Sequence, residues 1–326
     1  MIASETDFSV DDRLNPDSPA YDYHGDFTRP SATMLKHFKK HGARDFEATY
    51  VNKIKPTIVP NRVMDRGSVV HEVALEGADI NEFVLRYPDF CLNKKGGLVG
   101  AWSGKVRDII YRLSMRDDFD IVEADPKYDG IPDSFWADLR SRESLPRYVM
   151  KDDEVDNALS IFEALKKHEM WNWLSSPLCI REEQIIWEDR VSGLTCRCKP
   201  DFVIPATNHV LLFDLKVTVN WSKDDFRGYL GGSRKGGQRG YIQACHYANA
   251  LSTAYGKPVQ VRFVCVNPEQ PHQVRCHAIS PETMDAIVPA YKETIKELAD
   301  RIRTGDWSDP DETGDCITTL DEWEIC

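Results

Sequence analysis

The chain has 326 residues, of which 41% are hydrophobic and 29% charged, with a formal net charge of −12. That length is enough for one large core or two modest ones, and it excludes a small disulfide-stapled scaffold. No run approaches the ~18 consecutive apolar residues of a membrane span. The acidic start MIASETDFSVDDRL lacks the basic-then-apolar order of a secretory leader. A cytoplasmic protein with no membrane partner is therefore expected. The nine cysteines form no C-x-x-C pair, which argues for reduced, mostly buried thiols and against a zinc ribbon.

The charge is concentrated at the ends. Residues 1–30 carry −5, residues 305–326 carry −8, and the body 31–304 is close to +1. Net charge therefore does not exclude an anionic polymer as substrate. This distribution suggests three parts: an acidic, loosely ordered arm over 1–30, one domain over 31–304, and an acidic tail over 305–326. Within the domain, 31–176 reads as mainly helical and 177–304 as sheet-bearing.

In chain order, Ser31 caps an amphipathic helix with Met34, Leu35 and Phe38 at helical spacing. A second helix is expected over 66–77, with Gly67 allowing close packing. Residues 86–150 give no clear pattern. Residues 151–174 read as one helix with the stripe Val155, Leu159, Phe162 and Leu165. After Pro177 the pattern becomes strand-like, with runs at 182–189, 194–204 and 209–217. A glycine-rich basic stretch at 228–240 follows, then a helix at 241–256. Strands at 259–267 and 273–279 and a helix at 281–304 complete the body.

Chemistry concentrates in 183–247. Side chains of a strand alternate, so Asp214 and Lys216 share a face while Leu215 points away. If 194–204 and 209–217 form a hairpin turning at Thr207-Asn208, Asp201 lies directly opposite Asp214, about 5 Å apart between Cβ atoms. Two facing carboxylates repel one another. A hard divalent ion, Mg²⁺ or Mn²⁺, would relieve that repulsion. Lys216 would then orient or deprotonate an attacking water, or neutralise charge on a phosphate. The alternative is an edge-strand salt bridge. Gln243 and Tyr247, four apart, project from one helix face and suit phosphate oxygens. His71, four residues after Gly67, could supply a neutral imidazole to the metal.

The ordered set Gly67-x-x-x-His71, Pro200-Asp201, Asp214-Leu215-Lys216 and Gln243-x-x-x-Tyr247 resembles the PD-(D/E)xK nuclease superfamily. The likeness is to its RecB-like branch, and within that to the RecE (exonuclease VIII) C-terminal nuclease and related phage exonucleases. It implies an α/β, restriction-endonuclease-like core with a central mixed sheet flanked by helices. His71, Asp201, Asp214 and the Leu215 carbonyl would be metal ligands, and Lys216 the catalytic lysine. Gln243 and Tyr247 would steady the lysine, the ligands or the DNA backbone. An acidic residue on the preceding strand is also implied; Glu183 is the choice and Glu182 its close competitor. The implied activity is Mg²⁺-dependent (or Mn²⁺-dependent) 5′→3′ digestion from duplex DNA ends, with a single-strand annealing protein as partner and a ring-shaped homo-oligomer. A site-specific endonuclease or a non-catalytic DNA-end binder are the rival readings.

The 228–240 stretch lengthens the connection found in this family. Arg234, Lys235 and Arg239 there are candidate DNA-phosphate contacts, against the alternative of a solvated insertion. Cys316 and Cys326 are late, but no late triplet or early partner accompanies them, so no iron–sulfur cluster is expected. The absence of G-x-x-x-x-G-K-[ST] argues against ATP use.

Overall fold

The structure is a computed structural model describing residues 23, 25–54, 62–114, 118–232 and 239–308. Helix α1 (Ala32–His41) begins where Ser31 accepts the Met34 amide, buries Met34, Leu35 and Phe38, and stops at Gly42 with φ +85°. A short α2 (Ala43–Phe46) runs on into a π-turn. Helix α3 (Arg62–Glu76) carries His71. A Cβ added at Gly67 would meet nothing within 4 Å, so close packing is not the role of that glycine.

The stretch with no clear pattern builds a small unit with its own core. After α4 (Ile80–Phe83), whose Ile80 and Phe83 pack under the central sheet, it is framed by β1 (Val84–Arg86) and β2 (Tyr148–Met150) and contains α5 (Gly100–Ser114), α6 (Phe119–Glu123) and α7 (Asp133–Ser141). Strands β1 and β2 pair in parallel, and Ile109, Phe135, Trp136 and Leu139 lie in the centre of that core. The expected 151–174 helix is two pieces, α8 (Asp152–Lys167) and α9 (Trp171–Leu174). Its fully buried stripe is Val155, Ala158, Ile161 and Leu165, while Leu159 and Phe162 are partly buried beside it.

Strands β3 (Ile180–Arg181) and β4 (Ile185–Glu188) follow. The expected single strand 194–204 is divided. β5 (Thr195–Cys198) pairs with β4 in a two-stranded sheet, whereas β6 (Phe202–Pro205) enters the central sheet. Pro200 has no amide hydrogen for a ladder, so the chain leaves one sheet and enters the other through Lys199-Pro200-Asp201. β7 (Val210–Val217) forms the hairpin with β6 in the expected register, Phe202 opposite Phe213 and Val203 opposite Leu212.

A helix not anticipated from the sequence, α10 (Lys223–Gly231), opens with the Ser222 hydroxyl accepting the Asp225 amide. Helix α11 (Gly240–Tyr255) packs closely on it. A Cβ at Gly240 would lie 2.5 Å from the Tyr229 ring, so a glycine is needed there. These two helices provide the crossover that parallel pairing of β7 with β8 (Val259–Val266) requires. β9 (Val274–Ala278) and α12 (Pro281–Thr304) complete the fold. The central mixed sheet has the order β3-β6-β7-β8-β9.

Both faces of this sheet are covered, as its continuous apolar strands require. Val203, Val210, Leu212 and Phe263 face α1, α11 and α12. Phe202, Phe213, Leu215 and Val264 face α3 and α8. The residues just before α1 are packed rather than loose. Arg197 reaches back from β5 to the carbonyls of Tyr23 and Arg29, the latter at 3.0 Å, and its amide bonds Pro30 at 3.2 Å. The cysteines at 91, 196, 198, 245 and 265 are buried, and those at 179 and 276 partly so; all seven are free thiols. Among the described residues no helix is long and apolar enough to cross a membrane.

His246 on α11 is fully buried between β5 and α12. Its Nε2 donates to the Arg197 carbonyl at 3.2 Å, and its Nδ1 accepts from the Tyr291 hydroxyl at 3.0 Å. Burial pushes its pKa down to about 4. A folded pKa below the unfolded value of ~6.5 gives stability that is present above that value and lost as pH falls through 4. Unfolding midpoints should therefore show about 3 kcal/mol of acid destabilisation between pH 6.5 and 4 assignable to this ring. In His246→Gln that component should vanish, and an unchanged pH profile in the variant would contradict it.

Candidate active site

Asp214 is the only acidic residue on β7, an otherwise apolar strand with one lysine, and is 1% exposed. An ionised group buried this deeply needs partners, and three elements supply them. Lys216, two residues on, turns its ammonium onto Asp214 Oδ2, as period-two alternation requires. Gln243, in the first turn of α11, donates its amide Nε2 to Asp214 Oδ1 at 2.6 Å. Lys36 of α1 donates to Gln243 Oε1, also at 2.6 Å. Lys36 lies in the SATMLKHF segment, whose periodicity marks only a helix, and its distance from the others in the chain hides this contact.

Asp201 stands one step beyond Phe202↔Phe213, which puts it opposite Asp214 in register. Its Oδ2 accepts the Leu215 amide at 2.7 Å, so a side chain continues the ladder where β6 has ended. The N–H and C=O of one strand residue point to the same side, so the Leu215 carbonyl also faces Asp201. His71 reaches in from α3, with Nδ1 3.6 Å from the same Asp201 oxygen. Burial and then the neighbouring Asp214 push the Asp201 pKa up to about 6, against the opposing pull of His71 and Lys216. Burial would lower the Lys216 pKa, but Asp214, Tyr229 and Asp201 together hold it above the ordinary lysine value. Burial and the nearby Lys216 ammonium lower the Lys36 pKa to about 7, with Asp214 opposing.

Tyr247 shares the Gln243 face of α11. Burial, followed by Asp214, keeps its phenol protonated well above the usual range. It lines a cavity of about 390 Å³ together with Tyr23, Phe27, Tyr50, Glu182 and Lys199. Tyr229 of α10, another residue that the motifs miss, lies beside Lys216.

Glu183 is not brought to this cluster. Its carboxylate accepts from the Tyr255 hydroxyl at 2.7 Å, and Tyr255 lies about 18 Å further along α11 than Gln243. The competitor Glu182 faces the cavity. There it pairs with Lys199 at 2.7 Å, and its amide bonds the Asp201 carbonyl at 3.2 Å. The positive φ of +50° at Glu182 breaks the alternation that favoured Glu183. Arg239 precedes α11 with φ +44°, while Arg234 and Lys235 lie outside the described residues.

Among the described residues, no three His, Cys, Asp or Glu side chains already surround one point. His71 and Asp201 are drawn together, while Asp214 is turned towards Lys216 and Gln243. The donor set nevertheless suits a hard divalent cation. Asp214 Oδ2 is buried and accepts no hydrogen bond of normal geometry. Asp201 Oδ2 and the Leu215 carbonyl add oxygen donors that suit Mg²⁺ or Mn²⁺, and one imidazole stands beside them, a ligand that a transition-metal ion takes more readily than Mg²⁺.

Comparison with known proteins agrees with this geometry. Over its full length the chain is similar to the crystal structure of "Putative exonuclease" from Eubacterium rectale, with 11% identity, 98% of each chain covered and a TM-score of 0.54. A second solved structure, SSO0001, matches at 14% identity over 70% of this chain and 84% of that chain, with a TM-score of 0.25 that carries no argument. No curated protein matches the sequence significantly. Residues 135–319, more than half of the chain, match the family described as PDDEXK-like domain of unknown function (DUF3799). With its mixed sheet flanked by helices and a motif-bearing β6–β7 hairpin, the chain belongs to this PDDEXK-like family and carries a nuclease domain of the PD-(D/E)xK superfamily.

Proposed function

We propose that the chain is a divalent-metal-dependent deoxyribonuclease of the RecE-like type, which hydrolyses phosphodiester bonds from the ends of duplex DNA. The observation that carries this reading is the meeting of two facing carboxylates, with His71 beside Asp201 and with Lys216 and Gln243 on Asp214. His71, Asp201, Asp214 and the Leu215 carbonyl would hold Mg²⁺, with Mn²⁺ as substitute. When bound, such a cation supplies Lewis acidity to a phosphoryl oxygen. Lys216 places its charge beside the attacked phosphate, and the Tyr247 phenol offers a neutral donor to a phosphate oxygen. The adjoining cavity has room for a nucleotide. Release of the 3′ oxygen leaves 5′-phosphorylated products.

The exonuclease name of the Eubacterium rectale protein supports action at ends rather than within a strand. Digestion in the 5′→3′ direction would leave 3′ single strands for an annealing partner, and a ring-shaped oligomer would keep hold of the duplex. The decisive assay uses linear duplex labelled at the 5′ or the 3′ end, and a covalently closed circle, in Mg²⁺ with and without chelator. We expect mononucleotides from linear DNA, an intact circle and no reaction with chelator. Cutting of the circle would make the protein an endonuclease, and binding without cleavage would make it an end-binding adaptor.

A further inference from the structure

Lys36 is not among the acidic, lysine and glutamine positions of the nuclease motif, yet it makes a 2.6 Å contact with the amide that holds Asp214. A primary amide has an acceptor end and a donor end, and the Lys36 nitrogen donates to the acceptor end, Oε1. With Lys36 against Oε1, Gln243 must present Nε2 to Asp214, and the 2.6 Å bond to Oδ1 is the result. Turning the amide over would set ammonium against amide hydrogens and amide oxygen against carboxylate. Both contacts are repulsive in a buried site.

The consequence reaches the metal-ligating edge. Once Oδ1 is occupied by Gln243, Asp214 directs Oδ2, its oxygen without a hydrogen bond, towards Lys216. We infer that Lys36 is a positioning residue: by fixing the amide orientation of Gln243 it engages Oδ1 of Asp214 and leaves Oδ2, the oxygen paired with Lys216, as the one that would meet a divalent cation. This rests on the metal-dependent nuclease reading and extends it to a residue of α1. The same helix buries Leu35 and Phe38 in the main core, which anchors it.

The test is Mn²⁺ binding to the full chain without DNA, by isothermal titration, alongside kcat and KM on linear duplex. Lys36→Met keeps the length and removes the donor. It should weaken Mn²⁺ binding about 10-fold, the usual effect of losing a partner that orients a ligand, and lower kcat while leaving KM for DNA unchanged. Lys36→Arg, which keeps the donor, should restore binding. In a Gln243→Ala background Lys36→Met should add nothing further, because the residue it acts through is gone. Lys36→Gln serves as a second variant should the methionine form fail to fold by circular dichroism.

Wild-type Mn²⁺ affinity in Lys36→Met overturns the inference, as does a rise in KM alone, which would make Lys36 a DNA contact. A full Lys36→Met effect surviving in Gln243→Ala overturns it too. A wild-type chain that binds no Mn²⁺ sinks the nuclease reading itself, and the inference with it.

Discussion

Asp214→Asn should give a folded protein that binds duplex DNA ends and does not cut them. The carboxamide keeps the shape of the carboxylate and can still accept from Gln243, so packing between β7 and α11 is preserved. It removes the charge that faces Lys216 and would hold the metal. Metal-assisted charge stabilisation supplies several kcal/mol to a transition state; at 1.36 kcal/mol per tenfold, a loss of about 4 kcal/mol lowers kcat on the order of 10³-fold. Fluorescence anisotropy with an end-labelled duplex should show affinity within a few-fold of wild type. The uncompensated Lys216 ammonium is 24% exposed and so partly solvated, which limits the cost to stability. Cleavage at the wild-type rate would remove Asp214 from the site.

Mg²⁺ should raise the unfolding temperature of the wild-type protein, and Asp201→Asn should abolish the rise. Burial and the facing Asp214 push the Asp201 pKa up to about 6 because its charged form is poorly compensated. A cation that binds the folded site and not the unfolded chain stabilises by about 2.7 kcal/mol at a hundredfold excess over its Kd. For a chain of this size that amounts to roughly 4 °C. Scanning calorimetry at matched ionic strength, with Mg²⁺ against chelator, measures it. A wild-type midpoint that does not respond at saturating Mg²⁺ would contradict a cation site between His71 and Asp201.

Features that depend on short-range pattern were legible in the sequence. The hairpin register that opposes positions 201 and 214 follows from the strand lengths and one turn. Alternation alone puts Asp214 and Lys216 on one face. The Ser31 cap marks a helix start. Other features escaped it. Pro200 was legible as a residue, but its effect of separating β5 from β6 into two sheets depends on which partner each strand finds. The choice of Glu183 over Glu182 assumed unbroken alternation, which the left-handed backbone at Glu182 interrupts, so Glu182 and not Glu183 faces the cavity. Residues 86–150 bury their apolar side chains on several short elements at once, so no single period emerges.

By itself the sequence determined how the central hairpin pairs and which of its side chains share a face, because those follow from neighbours a few positions apart. Only the tertiary structure decided that His71 meets Asp201, that Glu182 faces the cavity in place of Glu183, and that Lys36 bonds Gln243 across 207 positions of sequence. Such contacts are set by how helices pack on the two faces of a sheet, and that packing has no local periodicity to reveal it.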